Sequence, residues 1–147
     1  MQTETRHAEA EWHGSVTAGN GTISTQSGAL KTAPYSFQAR TQGSDTETNP
    51  EELIGASLAG CFAMALSKTL GDLGVENPKI GAKAYISLGI GDAGLKVTAA
   101  RLSVDVAAKA MSEEQLRQAV ATTEASCPLY QLLKPGLDSI ETIATLA

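Results

Sequence analysis

The stretch NPEELIGASLAGCFAMALSKTLGDLG, residues 49–74, carries the punctuation of one long helix. Asn49 is an N-cap residue type, and Pro50 stands at the first helical position, where its missing N–H costs nothing. Glu52, three residues after Asn49, is spaced to close a capping-box-like turn, and Gly71 or Gly74 ends the helix. Between these ends Leu53, Ile54, Leu58, Phe62, Met64, Leu66, Leu70 and Leu73 lie on nearly every face. A helix that is apolar all round is a buried helix. A small domain seldom wraps a helix completely, so part of this one is expected to face another subunit.

The 147 residues suit one domain, residues 1–147, with a core of its own. Hydrophobic residues make up 42% and charged residues 18%, a globular rather than a disordered balance. The net charge of -5, with only 11 scattered Lys and Arg, argues against a nucleic-acid partner and against a basic membrane-surface helix. The opening MQTETRHAEAEW has no apolar stretch for a signal peptide. The most apolar segment, residues 53–66, is short for a bilayer span and broken by Gly and Ser. These features predict a cytoplasmic protein with no membrane partner, in which two cysteines are free, metal-bound or redox-active thiols rather than a structural disulfide.

Outward from the helix, residues 14–40 read as short strands. AGNG turns into the strand GTIS, SGAL and TAP mark a second turn, and YSFQAR alternates as a half-buried strand does. After the helix, Ala82, Ala84, Ile86, Leu88 and Ile90 alternate up to the turn GDAG, and Leu95 and Val97 begin a return strand. The alternation shifts phase near Ala99–Ala100, which predicts a bulge. Ser112 caps a second helix whose inner face is Leu116, Ala119, Val120 and Thr123. Pro128 breaks that helix, one more turn stops at Pro135-Gly136, and DSIETIATL closes the chain as a strand. The fold class is α+β, with antiparallel sheets packed around two main helices.

Two thiols are the candidates for chemistry. Cys61 lies too deep in the first helix for the helix N-terminus to lower its pKa. Read locally it is either a small core side chain or a nucleophile that needs a cation from elsewhere. Cys127 precedes Pro128 at a helix junction, where a small backbone adjustment moves its sulfur. His7 and His13 are the only histidines, and no CxxC or HxxxH spacing calls for a metal. The glycines of GNG (19–21) and GIGDAG (89–94) read as turns rather than phosphate cradles, and Trp12 as a core or edge anchor. Ser57 and Ser67 have no histidine near them in sequence.

Across nearly the whole chain, residues 10–145, the sequence resembles the OsmC/Ohr family of thiol-dependent peroxidases. TNPEELIGASLAGCF resembles the first-cysteine helix of that family and ASCPLYQLLK its second-cysteine motif, with the two cysteines 66 positions apart. GTISTQSGAL and PYSFQAR resemble the OsmC branch rather than the Ohr branch. The resemblance implies an intertwined homodimer with its sites at the subunit interface, and reduction of organic hydroperoxides in preference to hydrogen peroxide. It assigns Cys61 as the peroxidatic residue and Cys127 as the resolving one, Arg40 as the group that holds the thiolate and Glu51 as the group that holds Arg40. The implied reductant is an external dithiol, of lipoyl type in the family, and no cofactor is called for.

Chemistry supports each role. An always-charged guanidinium stabilises a thiolate and hydrogen-bonds peroxide oxygens, a carboxylate grips it bidentately, and sulfenic acid and disulfide are reversible oxidation states. Asn49 as N-cap leaves Glu52 in the cap and frees Glu51 for the site. Glu51 and Cys61 are ten residues apart on one helix, about 15 Å of rise, so the Arg40–Glu51 pair serving a given Cys61 is expected to come at least partly from the other subunit. The alternatives are a non-enzymatic carrier of a small hydrophobic ligand at the dimer interface, indifferent to Cys61, and a redox-regulated structural protein.

Overall fold

The expected helix forms as α2 (Pro50–Asp72) in the computed structural model, which describes residues 1–147. At its start the Glu52 N–H donates to Asn49 Oδ1 at 2.8 Å, while the Glu52 carboxylate accepts from Thr48 Oγ1 at 3.3 Å rather than from Asn49. At its end the Val75 N–H reaches Leu70 O and the Gly74 N–H reaches Gly71 O, both at 3.0 Å, with Gly74 at φ +81°. This Schellman turn makes Gly74 the stop, since only glycine takes that left-handed conformation without strain.

The chain divides into two compact units, residues 1–53 and 54–147, with α2 beginning in the first and running on through the second. The first unit holds an antiparallel sheet of β1 (Ala8–His13), β2 (Asn20–Thr25) and β3 (Ala33–Tyr35), in that order. The AGNG turn lies slightly upstream of its expected place: the Gly19 N–H closes onto Ser15 O at 2.7 Å, and Gly21 belongs to β2. The reading of YSFQAR as a strand is corrected. Tyr35 ends β3, and Phe37–Gln42 is a short helix, α1. Ser36 accepts the Ala39 N–H at 3.1 Å as its N-cap, and Phe37, Arg40 and Thr41 stand at the i, i+3, i+4 spacing that a six-residue alternation does not exclude.

In the second unit β4 (Lys79–Gly91), β5 (Gly94–Ala107) and β6 (Ser139–Leu146) form one sheet in that order. Helices α3 (Glu113–Ser126) and α4 (Pro128–Leu133), with a 3₁₀ turn over Lys134–Gly136, connect β5 to β6. The bulge falls within a residue of its expected place: Ser87 pairs with Ala99 and Leu88 with Val97, so Thr98 is the extra residue. Its carbonyl, freed from the hairpin, accepts the Asp138 N–H at 2.8 Å and starts β6. The capping box at Ser112 and Gln115 forms, and Leu116, Ala119, Val120 and Thr123 are the buried residues of α3.

The α+β class holds, with one correction to its sheets. β6 runs parallel to β5, so this sheet is mixed, because the helical connection carries the chain back to the starting end before β6 begins. Leu58, Phe62, Leu66 and Leu70 of α2 are fully buried among Leu102, Val104 and Val106 of β5 and Leu116 and Ala119 of α3. One face of α2 is not covered within the chain: Met64 is 77% exposed, and Leu73 lies open just past its end. With 23 residues the helix is also long and apolar enough to cross a membrane by length and composition, which the shorter segment 53–66 is not.

Gly21 is the tightest point of the first sheet. It pairs with Trp12 on one side and Tyr35 on the other, and a Cβ there would stand 2.5 Å from Glu11 O and 2.7 Å from Trp12 Cε3. Gly21→Ala is therefore expected to cost about 1–3 kcal/mol as an overpacking change and to shift the fluorescence of Trp12, the only tryptophan. Unchanged melting and emission would show that the two rings do not need the open glycine.

Candidate active site

Each unit assembles one pair of the four residues singled out from the sequence. In the first unit Arg40 projects from the last turn of α1 and Glu51 from the first turn of α2. Arg40 Nε donates to Glu51 Oε1 and Oε2, both at 3.1 Å, and Nη2 donates to Oε1 at 2.8 Å. The Glu51 side chain is only 7% exposed and Arg40 32%, so the carboxylate is enclosed and the guanidinium reaches outward. Glu51 rather than Glu52 holds the arginine, as Glu52 is engaged in the helix cap.

The free edge of Arg40, including Nη1, makes no hydrogen bond within the chain and borders a pocket of about 450 Å³. Trp12, Val16, Tyr35, Phe37 and Pro50 line it, with the Trp12 and Tyr35 rings 5.3 Å apart. A cation on an apolar, aromatic wall attracts an anion or a polar oxygen attached to an apolar body, because weak competition from water keeps its field strong.

In the second unit Cys61 on α2 meets Cys127 at the α3–α4 junction. Both are free thiols, and Cys127 Sγ donates to Cys61 Sγ at 3.5 Å. Cys127 is fully buried, and Cys61 is half-buried beside Phe62. The Cys127 N–H closes α3 onto Thr123 O at 2.7 Å, and its carbonyl accepts the Gln131 N–H at 3.0 Å to open α4. One residue thus serves two helices, and its side chain is left for Cys61. Burial pushes the Cys127 thiol up, the contact with Cys61 adds to the rise, and the Tyr130 and Leu129 amides act the other way. Cys127 therefore keeps its proton, in line with its donating to Cys61. No group of three His, Cys, Asp or Glu side chains stands together as a metal site.

The model of the OsmC-like protein family matches residues 43–141, two thirds of the sequence and including Glu51 and both cysteines. The chain belongs to the OsmC-like family. This OsmC-like chain is 40% identical over 129 residues to Peroxiredoxin OsmC of Escherichia coli (strain K12), covering 88% of the chain and 90% of that protein. It is 32% identical over 95 residues to Organic hydroperoxide resistance protein-like 2 of Staphylococcus saprophyticus, covering 63% and 65%. Among solved structures, an organic hydroperoxide resistance protein of Elizabethkingia anophelis superposes with a TM-score of 0.74 at 18% identity, covering 99% of the chain and 100% of its own. OhrB of Bacillus subtilis superposes with a TM-score of 0.64 at 23% identity, covering 93% and 98%. These two likenesses establish the fold.

The aromatic lining beside Arg40 was not read from the OsmC-like sequence. Trp12, Tyr35 and Phe37 are half of the chain's Trp, Tyr and Phe residues, crowded into its first quarter. That crowding is the available signal, but cross-strand pairing through Gly21 is what brings two of them together.

The asymmetry of the thiols is testable. A buried acid whose folded pKa lies above its unfolded value, about 8.5 for a thiol, favours folding below that value and loses the contribution as pH rises through the folded one. Iodoacetamide at pH 7.5 is expected to alkylate Cys61 at least tenfold faster than Cys127, and wild-type stability is expected to decline above about pH 9 more than that of Cys127→Ala. Equal alkylation rates by peptide mass mapping would contradict the assignment.

Proposed function

We propose that this chain is a cysteine-based peroxidase that reduces organic hydroperoxides, with hydrogen peroxide a poorer substrate. The observation that carries the reading is the thiol pair: two cysteines 66 positions apart, brought to 3.5 Å with one of them protonated and fully buried. The names of the relatives, a peroxiredoxin and organic hydroperoxide resistance proteins, support the same class.

In this reading the Cys61 thiolate attacks the outer peroxide oxygen, the O–O bond breaks, and the alkoxide leaves and takes a proton from solvent as alcohol. Cys61 is then a sulfenic acid. The Cys127 sulfur attacks the Cys61 sulfur, the S–O bond breaks, and the departing hydroxide takes the Cys127 proton as water. An external dithiol, of lipoyl type in the proposal, reduces the disulfide and restores both thiols. Arg40, gripped by Glu51, supplies the fixed cation for the thiolate and the peroxide oxygens, and the aromatic pocket takes the organic substituent.

The working unit is a homodimer. The support is the uncovered apolar surface of α2 around Met64, with Leu132 71% exposed on α4, in a helix whose opposite stripe is fully buried. The pair serving one Cys61 comes from the partner's first unit, in keeping with the ten helical residues between Glu51 and Cys61. The chemistry belongs in a reducing compartment, the cytoplasm in the proposal, where a dithiol is available.

Cys61→Ser is expected to abolish consumption of cumene hydroperoxide. Cys127→Ser should allow a first turnover and then accumulate sulfinic acid at Cys61, and Arg40→Met should lower kcat/KM by about 100-fold. Mass spectrometry after one equivalent of hydroperoxide decides: a loss of two hydrogens across Cys61 and Cys127 is expected. Two unchanged thiols, with saturable binding of the hydroperoxide and no turnover, would replace the enzyme by a carrier.

A further inference from the structure

The peroxidase reading leaves unused one buried titratable group and its partner, Tyr130 and Glu124. Tyr130 is 4% exposed, and its hydroxyl donates to Glu124 Oε2 at 2.6 Å, a short hydrogen bond for two oxygens. Burial, then Glu124, push the phenol upward, so it keeps its proton and remains a donor. A second bond runs in parallel, from Gln131 Nε2 to the Glu124 carbonyl at 2.7 Å. The Tyr130 hydroxyl also lies against β6, with a long contact to Ile140 O at 3.5 Å and the Thr142 hydroxyl beside it.

Glu124 stands three residues before Cys127 and Tyr130 three residues after it, so the bond spans the cysteine. It is needed there. Cys127 caps both helices through its main chain alone, α4 has no side-chain N-cap, and Pro128 removes the first amide. The Tyr130 ring also packs against Phe62, the residue after Cys61, with centroids 6.2 Å apart. The brace thus fixes the resolving cysteine to its own helix and to the helix of its target.

We propose that the Tyr130–Glu124 hydrogen bond is a positioning device for the resolving step, holding the α3–α4 junction so that the Cys127 sulfur meets an oxidised Cys61. The proposal rests on the peroxidase reading for its substrate. To form the disulfide the sulfurs must close from 3.5 Å to about 2 Å, and misplacement by an ångström costs such a step about 100-fold. A brace at both sides of Cys127 leaves that closing motion as the permitted one. The Tyr130 hydroxyl and the Glu124 carboxylate bond to each other and not to either sulfur, and the Tyr130 amide that bears on Cys127 is main chain and is kept in Tyr130→Phe, so the first step does not depend on the brace.

The test follows single-turnover oxidation of the reduced full chain by cumene hydroperoxide, with dimedone trapping of sulfenic acid and mass-spectrometric counting of disulfide. Tyr130→Phe and Glu124→Ala are each expected to slow disulfide formation about tenfold, with first-turnover peroxide consumption within twofold of wild type. The double variant should be no slower than either single one, because both lose one shared bond. Glu124→Gln, whose amide oxygen still accepts from Tyr130, should restore at least half the wild-type rate, and it decides the matter with Glu124→Ala if Tyr130→Phe does not fold. Disulfide formation at wild-type speed in both single variants would overturn the proposal, as would losses that multiply in the double variant. Diamide, which is displaced as a hydrazine when the second thiol attacks its adduct, closes the same disulfide without peroxide. If wild type consumes no peroxide yet Tyr130→Phe slows closure by diamide, the brace stands and the peroxidase reading falls. If diamide closes the Tyr130→Phe disulfide at wild-type speed, the brace falls whatever the peroxide result.

Discussion

The packing of one stripe of α2, Leu58, Phe62, Leu66 and Leu70, sets the rest of the second unit. Each side chain is fully buried, and burying a residue of this size contributes about 1.5–3 kcal/mol relative to leaving it exposed. Because the residues recur every four positions, they fix the rotation of the helix about its axis. With Phe62 pointed into the core, Cys61 falls at the margin of that core, half-buried and turned toward α3. Thr123 locks the same arrangement from the other side. Its hydroxyl lies 3.2 Å from that of Thr69 on α2 and 2.7 Å from Ala119 O, both buried, one helical turn before Cys127.

Each unit carries its own arrangement of polar groups. Arg40 and Glu51 form a fixed cation with one edge spent and one edge open. Cys61 and Cys127 form a thiol pair in which burial assigns the proton to one sulfur.

Much of this was legible because it is local. Asn49, Pro50 and Gly74 bound α2, Ser112 caps α3, and the phase shift near Ala99 locates the bulge at Thr98, all through interactions spanning a few residues. What was missed needs either register or direction. Phe37–Gln42 is too short for its periodicity to tell a helix from a strand, and the Ser36 cap decides it. The Ala-Glu alternation of β1 carries almost no apolar signal, and the strand exists by pairing with β2. The direction of β6 depends on where its connecting helices deliver the chain. The brace from Glu124 to Tyr130 crosses a Pro-broken junction, where helical spacing no longer predicts neighbours. Of the site, the residue types were readable in their motifs, whereas the 3.5 Å meeting of two sulfurs is a tertiary fact.

The parallel pairing of β6 with β5 also bears on the order of events as the chain folds. Cys127 lies within the connection between these strands, and parallel pairing cannot begin until that whole connection has looped back. Contacts of high sequence separation form late, because the entropy of closing the loop is lost before the contact returns anything. The hairpin β4–β5 closes through a tight turn, and α2 and α3 carry their own caps, so these are local contacts. The thiol contact, between α2 and the α3–α4 junction, spans 66 positions and belongs to the same class of non-local contact. The pair is thus a property of the tertiary fold and not of either helix alone.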